Sequence, residues 1–93
     1  MRTIQPTNGF RRDFRRIKSN PRYRNLDDLL TPLIELLAAD RPLAVSNRDH
    51  VLSGDWVDHR ECHVRPDLLL IYRKPDDATL QLVRLGSHSA LFR

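Results

Sequence analysis

The first third of the chain repeats its apolar residues with the period of an α-helix. Phe10, Phe14 and Ile17 stand at i, i+4 and i+7, so one stripe of a helix faces inward while basic residues take the other faces. Asn20-Pro21 ends this helix, because proline disfavours the helical conformation in the residue before it. The pattern therefore predicts a first helix from about Asn8 to Ser19.

A second helix is predicted from about Asn25 to Ala39. Asn25 is a suitable N-cap, and the acidic residues after it stand in the first turn, where the helix dipole favours negative charge. Pro32 interrupts the segment, so that the helix either kinks there or restarts with Thr31 as its cap. The predicted buried face consists of leucines, namely Leu26, Leu29, Leu30, Leu33 and Leu37.

After Pro42 the apolar pattern changes to that of extended strands. The predicted strands run from Val57 to Val64, from Asp67 to Lys74 and from Thr79 to Leu85. The joints between them are shorter than the dozen or so residues that a parallel crossover needs, which predicts antiparallel pairing. The middle strand is apolar on both faces and should lie at the centre of the sheet, and residues 3–6 are candidates for an edge strand.

The predicted fold class is α+β, with a two-helix hairpin packed on one face of an antiparallel sheet of three to five strands, as a single domain over residues 1–93. The net charge of +4 favours an anionic partner, nucleic acid first. Cys62 is the only cysteine, which excludes an internal disulfide and a cysteine-based zinc site and predicts a small buried thiol. No apolar stretch has the length of a signal peptide or of a membrane span, so we expect a cytoplasmic location without membrane contact.

Three histidines and one aspartate are predicted to gather at one end of this sheet. His63 and Asp67 flank the turn between the first two of these strands, and His88 follows the third strand, which returns to the same end. His50 stands in the loop before the first strand and could fold over that end. Imidazoles are the side chains best suited to proton transfer near neutral pH, with an unperturbed pKa of about 6.5.

Arginines from the same strands and turns complete a set that could cleave RNA without a metal. Arg60, Arg65 and Arg84 offer planar guanidinium groups that bind phosphate oxygens in pairs. Cleavage needs a base for the ribose 2′-hydroxyl, cations to stabilise the phosphorane, and an acid for the leaving 5′-oxygen. The three histidines and Asp67 are also a workable zinc set, so a metal site stays open at this point. His59 has no distinguishing feature and is interpreted as a surface residue.

Three further features have two interpretations each. The basic residues of the first helix form either a solvated face or an RNA-binding surface. Trp56 is interpreted as a core anchor rather than a platform for stacking a base, whereas Phe92, close to the end of the chain, is expected to pack or to contact a base. The basic residues in question are Arg11, Arg12, Arg15, Arg16 and Lys18.

Two motifs carry a family resemblance. They are Asp49-His50-x-Leu52-x-Gly54-x-Trp56-x-x-x-Arg60-x-x-His63-x-x-Pro66-Asp67-x-Leu69-Leu70-Ile71-Tyr72 and Arg84-x-Gly86-x-His88-x-x-Leu91-Phe92. Both resemble the YafQ toxins, which belong to the RelE superfamily of bacterial type II toxin–antitoxin toxins. The match covers residues 49–92, about half of the chain, while the amino-terminal helices agree only in length and pattern.

The resemblance implies a RelE-like fold and a ribosome-dependent interferase that cuts mRNA in the ribosomal A site with neither metal nor other cofactor. It makes His50, His63, Asp67 and His88 the catalytic set, with His88 as the acid, and Phe92 a contact to mRNA. It also implies that the basic face of the first helix binds ribosomal RNA. The implied partner is a ribbon-helix-helix antitoxin like DinJ or RelB, and the toxin reaches operator DNA only through it.

The chain departs from the family pattern at three places. Glu61 stands where some relatives have aspartate, Leu68 where tryptophan is common, and Cys62 where a small residue is common. None of these removes a proposed proton carrier, so an active toxin is expected. Two other functions remain as alternatives: a non-catalytic translation repressor of the same fold that binds RNA or the ribosome, and a zinc hydrolase or zinc-stabilised domain.

Overall fold

The computed structural model describes residues 1–92. The α+β class predicted from the sequence is confirmed, and within this range no helix is both long and apolar enough to cross a membrane. The elements are β1 (Thr3–Pro6), α1 (Asn8–Lys18), α2 (Leu26–Ala38), β2 (His50–Val51), β3 (Arg60–Arg65), β4 (Leu68–Arg73), β5 (Thr79–Gly86) and α3 (His88–Leu91).

The strands form one sheet in the order β1-β5-β4-β3-β2. The apolar strand β4 lies at its centre, as predicted, and pairs antiparallel with β3 and β5. Strand β1 pairs parallel with β5, with Thr3 opposite Thr79, so the sheet is mixed rather than entirely antiparallel. The long chain between these two strands supplies the connection that a parallel pair needs.

The region before β3 differs from the prediction. The strand expected from Val57 begins only at Arg60, because Gly54–Trp56 forms a 3-10 turn and Asp58 adopts a left-handed backbone conformation with φ of 70°. His50, expected in a loop, lies in the two-residue strand β2 and pairs with Glu61. This short edge strand fixes one candidate histidine to the sheet.

The two long helices begin and end within a residue or so of their predicted bounds. The Thr7 hydroxyl caps α1 by accepting a hydrogen bond of 3.1 Å from the Phe10 backbone N–H. Asn25 occupies the N-cap position of α2, but its side chain makes no capping hydrogen bond. Helix α2 continues through Pro32, so the restart considered for Thr31-Pro32 does not occur.

Alternate residues of β4 face two separate apolar clusters, because successive side chains of a strand point to opposite faces. Leu70 and Tyr72 belong to the main core beneath α1 and α2, which also buries Cys62 completely. That burial raises the pKa of the Cys62 thiol to about 12, in keeping with the predicted inert thiol. Leu69 and Ile71 belong to a smaller cluster on the opposite face, and this second face carries the candidate site.

A β-bulge in β5 interrupts its pairing with β4. Ile71 lies opposite Arg84 while Tyr72 lies opposite Leu82, so that β5 accommodates one extra residue between the two pairs. Past this bulge the side chain of Arg84 reaches α1 rather than the candidate site, as the contacts below show.

Candidate active site

Two histidines flank one buried carboxylate on the open face of the sheet. Glu61 and His63 are two residues apart on β3 and therefore share a face, and His50 pairs with Glu61 across β2 and β3. The Nε2 atom of His50 lies 3.7 Å from Glu61 Oε2, and the Nε2 atom of His63 lies 3.6 Å from Glu61 Oε1. The Glu61 side chain is only 7% exposed, against 50% for His50 and 22% for His63. The anion is thus shielded from water and faces both imidazoles.

Backbone contacts set the tautomer and orientation of His50. Its Nδ1 atom lies 2.6 Å from the carbonyl oxygen of Arg48, which can only accept a hydrogen bond. The proton therefore sits on Nδ1, and Nε2 is the atom that faces Glu61. Arg48 holds this geometry in a left-handed conformation with φ of 49°, and Asn47 Nδ2 donates to the carbonyl of His63 at 2.8 Å. The segment before β2 is in this way tied to the strand that carries the carboxylate.

The one-turn helix α3 brings His88 and Phe92 to the same face. The Ser87 hydroxyl caps this helix by accepting from the Ala90 N–H at 3.2 Å, and Leu91 is buried in the smaller cluster. Because His88 and Phe92 stand at i and i+4, their rings meet with centroids 5.0 Å apart. Phe92 in turn lies 6.1 Å from the ring of Trp56.

These groups surround a cavity of about 340 Å³. It is called the histidine cavity below and is lined by His50, Leu52, Ser53, Trp56, Glu61, His88 and Phe92. His63 meets Glu61 from a neighbouring cavity of about 290 Å³, which it lines with Ser46, Arg48 and Pro66. Of the four residues predicted to gather, His50 and His88 therefore share one cavity and His63 adjoins it through Glu61.

Asp67 is not paired with a histidine, contrary to the expectation that it would stand beside His63. Its Oδ2 atom lies 2.6 Å from Arg22 Nη2, in the short turn before α2. Burial and, next, the neighbouring Asp67 raise the pKa of Tyr23 in the same turn. The two-residue turn of the hairpin directs this carboxylate towards the helical layer, whereas Glu61 supplies the carboxylate on the histidine side.

Comparison with known proteins was made for the whole chain. Residues 2–93 match the family model described as "Bacterial toxin of type II toxin-antitoxin system, YafQ". The mRNA interferase toxin YafQ of Escherichia coli strain K12 is 38% identical over 71 residues, which cover 76% of each protein. A crystal structure of a metal-bound toxin from Helicobacter pylori is 44% identical with a TM-score of 0.88, over 99% of this chain and 100% of that one.

The toxin in a crystal structure of the E. coli DinJ–YafQ complex is 33% identical, with a TM-score of 0.85 and complete coverage of both chains. The chain belongs to the YafQ family of type II toxin–antitoxin toxins. The family and the enzyme class predicted from the sequence, an endoribonuclease of the mRNA interferase type, are thereby confirmed.

Two of the arginines expected to bind RNA are engaged inside this YafQ-family fold. Arg84 Nε lies 2.6 Å from Asp13 Oδ2, and Leu85 N–H donates to the same oxygen at 3.0 Å. Gly9 leaves room for this contact, since a Cβ there would lie 3.1 Å from Arg84 Cδ. The sequence did not predict this pairing because Asp13 and Arg84 are 71 positions apart in the chain, and the strand pattern does not report which helix residue a strand side chain meets.

Arg60 takes part in a second internal network. Its Nε atom lies 3.2 Å from both Asp49 Oδ1 and the Tyr72 hydroxyl, and that hydroxyl donates to Asp49 at 2.5 Å. Burial, followed by the hydrogen bond to Asp49, raises the pKa of Tyr72. Asp49 precedes His50, so the network holds β2 against β3 from the helical side. Arg65 remains as an exposed arginine in the β3–β4 turn.

The basic residues of α1 lie away from the histidine cavity. Arg11, Arg12 and Arg15 are exposed, whereas Arg16 contacts Asp13 at 3.3 Å and Lys18 pairs with Asp27. A larger cavity of about 730 Å³, called the α1 groove, lies here and has Pro6, Phe10 and Phe14 among its lining with Arg11, Arg15, Lys18 and Ser19. Its size does not make it the active site, because it contains no group that titrates near neutral pH.

Glu61 is a candidate site residue that was not in the set predicted from the sequence. Its role was left in doubt because it departs from the aspartate of some relatives, although its spacing of two from His63 on a strand already predicted a shared face. Trp56, interpreted as a core anchor, lines the histidine cavity while packing against the smaller apolar cluster.

The metal alternative was tested against the donor groups. Asp67 is turned to Arg22, and within residues 1–92 no three His, Cys, Asp or Glu side chains converge on a point where they could hold an ion. The predicted zinc set of His50, His63, Asp67 and His88 therefore does not fit a metal in this arrangement. The H. pylori relative is described as metal-bound, so a chelator arm belongs in any functional test.

Proposed function

We propose that this chain cleaves mRNA in the ribosomal A site by acid–base catalysis, with the ribose 2′-hydroxyl as nucleophile and without a metal. The observation that carries the proposal is the meeting of His50, His88 and the buried Glu61 around one cavity, with His63 on the other side of the carboxylate. Two imidazoles that border one cavity are the minimum for a base and an acid that act on opposite sides of one phosphorus.

In the proposed reaction His50 is the base. Its Nε2 atom takes the proton of the 2′-hydroxyl, and the freed 2′-oxygen attacks the adjacent phosphorus. The resulting imidazolium faces Glu61 at 3.7 Å, which stabilises the positive charge as it forms. His63, at 3.6 Å from the same carboxylate, holds the carboxylate in place and is the second candidate for the base.

His88 is the proposed acid. It is exposed on α3 and lines the same cavity as His50, where it can donate a proton to the leaving 5′-oxygen as the P–O5′ bond breaks. The products are a 2′,3′-cyclic phosphate and a 5′-hydroxyl. The residues that line the histidine cavity include no arginine. The exposed Arg48, which lines the neighbouring cavity with His63, and the exposed Arg65 each stand two residues from a candidate histidine and are proposed to contact the phosphate.

Asp67 stays in the proposed catalytic set as a group on the same hairpin. Its ion pair with Arg22 has to open before the carboxylate can meet a substrate or a histidine. Separate mutations of Asp67 and Glu61 therefore measure the contribution of each carboxylate to the cleavage rate.

The proposed partners are the ribosome with its mRNA and a ribbon-helix-helix antitoxin of the DinJ or RelB type. The solved complex of a YafQ-family toxin with DinJ supports the antitoxin, and operator DNA would be reached only through it. The exposed arginines of α1 are proposed to contact ribosomal RNA phosphates, together with Arg65. A cytoplasmic location follows from the proposed ribosomal substrate.

The test is primer extension on translating ribosomes, with and without a chelator. The wild-type chain is expected to cut mRNA equally in both, and His88→Ala is expected to abolish cutting with the fold retained. Ser89→Ala is the matched control, because Ser89 is exposed next to His88 on α3 and does not line the histidine cavity. Translation arrested on uncut mRNA would establish the repressor alternative instead, and cutting that requires added metal would end the metal-free mechanism.

The ribosome contact is tested through salt dependence. Each phosphate contact contributes close to one unit to the slope of log affinity against log salt. The double variant Arg11→Gln/Arg15→Gln should reduce that slope for ribosome binding by about one to two units. Arg41→Gln, an exposed arginine after α2, is the control, and an unchanged slope in the double variant would remove α1 from the interface.

A further inference from the structure

Arg73 is an arginine of the sheet whose partner is neutral. It ends β4, and its Nε atom donates a hydrogen bond of 2.6 Å to the side-chain oxygen of Gln81, the residue opposite it on β5. The guanidinium groups of Arg60 and Arg84, in contrast, contact aspartates. Among the residues that the structure describes, no carboxylate lies within ion-pair distance of Arg73. Gln81 therefore holds this guanidinium through one nitrogen and leaves its positive charge uncompensated.

Arg73 lies on the face of the sheet that carries the histidine cavity. Side chains two residues apart on a strand share a face, so Arg73 follows Leu69 and Ile71 of the smaller apolar cluster. Ile71 pairs with Glu61, which makes Arg73 and Glu61 diagonal neighbours across β3 and β4, about 7–8 Å apart. Arg73 is thus close to the proposed chemistry without lining the histidine cavity.

Two further cavities lead from the histidine cavity to Arg73. The first, of about 410 Å³, shares Leu52 with the histidine cavity and is called the connecting cavity. The second, of about 460 Å³, is called the Arg73 cavity and is lined by Asp58, Arg73, Lys74 and Pro75. Asp58 and Lys74 also line the connecting cavity. The three cavities therefore follow one another over the surface, as a path for an extended chain requires.

We propose that the Arg73 cavity binds a backbone phosphate of the mRNA strand, next to the phosphate that is cut. The inference rests on the proposed function and adds to it a second contact with the substrate backbone. A planar guanidinium binds phosphate oxygens through two N–H groups, and Arg73 keeps both Nη atoms for this contact while Gln81 holds Nε. Lys74 is paired with Asp40 at 2.6 Å, so Arg73 supplies the uncompensated positive charge of this cavity.

Asp58 is an acidic group in the lining of the Arg73 cavity. It is exposed, and its backbone has a φ of 70°, a conformation that aspartate and asparagine adopt more readily than most residues. A carboxylate at this position repels a phosphate, so the removal of its charge should strengthen RNA binding. Asp58→Asn suits this test because it removes the charge and keeps the backbone preference.

The experiment uses the full chain and ribosomes programmed with mRNA whose A-site codon is 2′-deoxy, so that the mRNA stays uncut and binding is measured without activity. One linkage at a time, on either side of the cut site, is replaced by an uncharged methylphosphonate. The wild-type chain should lose affinity about tenfold at one linkage beyond the scissile one, the loss expected for one charge-assisted contact.

Arg73→Gln should lower the affinity for unmodified mRNA about tenfold and abolish the effect of the methylphosphonate at that linkage, because both changes remove the same contact. Gln81→Glu should act in the same way, since the new carboxylate would neutralise a guanidinium that is still present. Asp58→Asn should bind about threefold more tightly. Arg41→Gln, exposed and outside these cavities, should keep the wild-type affinity and the wild-type linkage profile. Circular dichroism checks that each variant is folded, and the linkage scan needs only the wild-type chain.

The outcomes distinguish this inference from the proposed function. Additive effects of Arg73→Gln and the methylphosphonate at every linkage, while all-ribose mRNA is still cut, would overturn the phosphate site and leave the interferase intact. Unchanged ribosome binding by Arg73→Gln, with weaker binding of the antitoxin, would assign Arg73 to a protein contact and also overturn the site. Coupling at one linkage without cutting of all-ribose mRNA would support the site and contradict the catalytic mechanism.

Discussion

The carboxylate of Glu61 lies 3.7 Å from the Nε2 atom of His50, and the two residues are direct partners across β2 and β3. Strand pairing places the two residues side by side, and the contact of His50 Nδ1 with the Arg48 carbonyl orients the ring. His50 cannot turn its other nitrogen to Glu61 without giving up the hydrogen bond between Nδ1 and the Arg48 carbonyl. In the proposed mechanism Glu61 stabilises the positive charge on this ring when Nε2 takes a proton.

Glu61→Gln should lower the cleavage rate about a hundredfold, because the amide keeps the shape of the side chain but not its negative charge. Ribosome binding should change little. Single-turnover cleavage on programmed ribosomes measures the rate, and Glu35→Gln on the exposed side of α2 is the matched control. A Glu61→Gln rate within threefold of the wild type would remove the carboxylate from the mechanism.

Variants of Asp67 and Arg22 distinguish a catalytic role of Asp67 from its role in the ion pair with Arg22. If Asp67 acts on the substrate, as proposed, Asp67→Asn should lower the cleavage rate about a hundredfold. The cleavage rate of Arg22→Gln should stay within threefold of the wild-type rate. The free energy of unfolding of both variants should lie within about 1 kcal/mol of the wild-type value, since the ion pair is exposed. Equal losses of activity in the two variants would assign Asp67 to the ion pair alone.

The ion pair between Asp13 and Arg84 joins α1 to β5 in a largely shielded position. The Asp13 side chain is 7% exposed and that of Arg84 is 35% exposed. Asp13→Asn should lower the free energy of unfolding by about 1–3 kcal/mol, because it leaves a partly buried guanidinium without its anion. Urea denaturation measures this, and Asp77→Asn, an exposed loop residue, should stay within about 0.5 kcal/mol of the wild type.

Arg84→Gln tests whether Arg84 binds RNA or only stabilises the fold through its contact with Asp13. Because Arg84 is bound to Asp13, its loss should reduce stability while the salt slope of ribosome binding remains unchanged. A slope reduced by about one unit, with stability unchanged, would return Arg84 to the RNA-binding set predicted from the sequence.

Asp40 should make the fold sensitive to acid. Hydrogen bonds from Lys74 and Arg2 lower the pKa of this carboxyl from 3.8 to about 2. A carboxylate whose pKa is lower in the folded state stabilises the fold above the unfolded pKa, and this contribution is lost as the pH falls through the folded value. Asp40→Asn should therefore be less stable than the wild type at pH 6, and the difference should vanish between pH 4 and pH 2. Asp28→Asn serves as the comparison, and a difference that persists at pH 2 would contradict the assignment.

Most of the fold could be predicted because the periodicity of apolar residues is clear in the segments that form the core. The apolar run Leu68–Tyr72 is buried at the centre of the sheet, where the pattern placed it. Of the five leucines predicted to form the buried face of α2, four are buried and Leu29 is partly exposed. The parallel pairing of β1 and the pairing of His50 with Glu61 depend on partners far along the chain, and periodicity within a segment contains no information about them.

The site was predicted in its residue types more than in its contacts. The sequence predicted that His50, His63 and His88 gather at one end of the sheet. In the structure His50 and His88 line one cavity, and His63 adjoins it through Glu61. Asp67 and Arg84 contact Arg22 and Asp13 instead, and both partners lie in the amino-terminal part of the chain, far from these residues in sequence. Sequence patterns do not report contacts over such separations.

The capped turn of α3 makes fold and toxicity separable at the genetic level. All the strands of the sheet are complete by Gly86, while His88 and Phe92 follow on a single helical turn held by the Ser87 cap and the burial of Leu91. A nonsense mutation after Gly86 would therefore spare the sheet and delete the proposed acid. Selection for survival of the host should enrich such late truncations over lesions in the core.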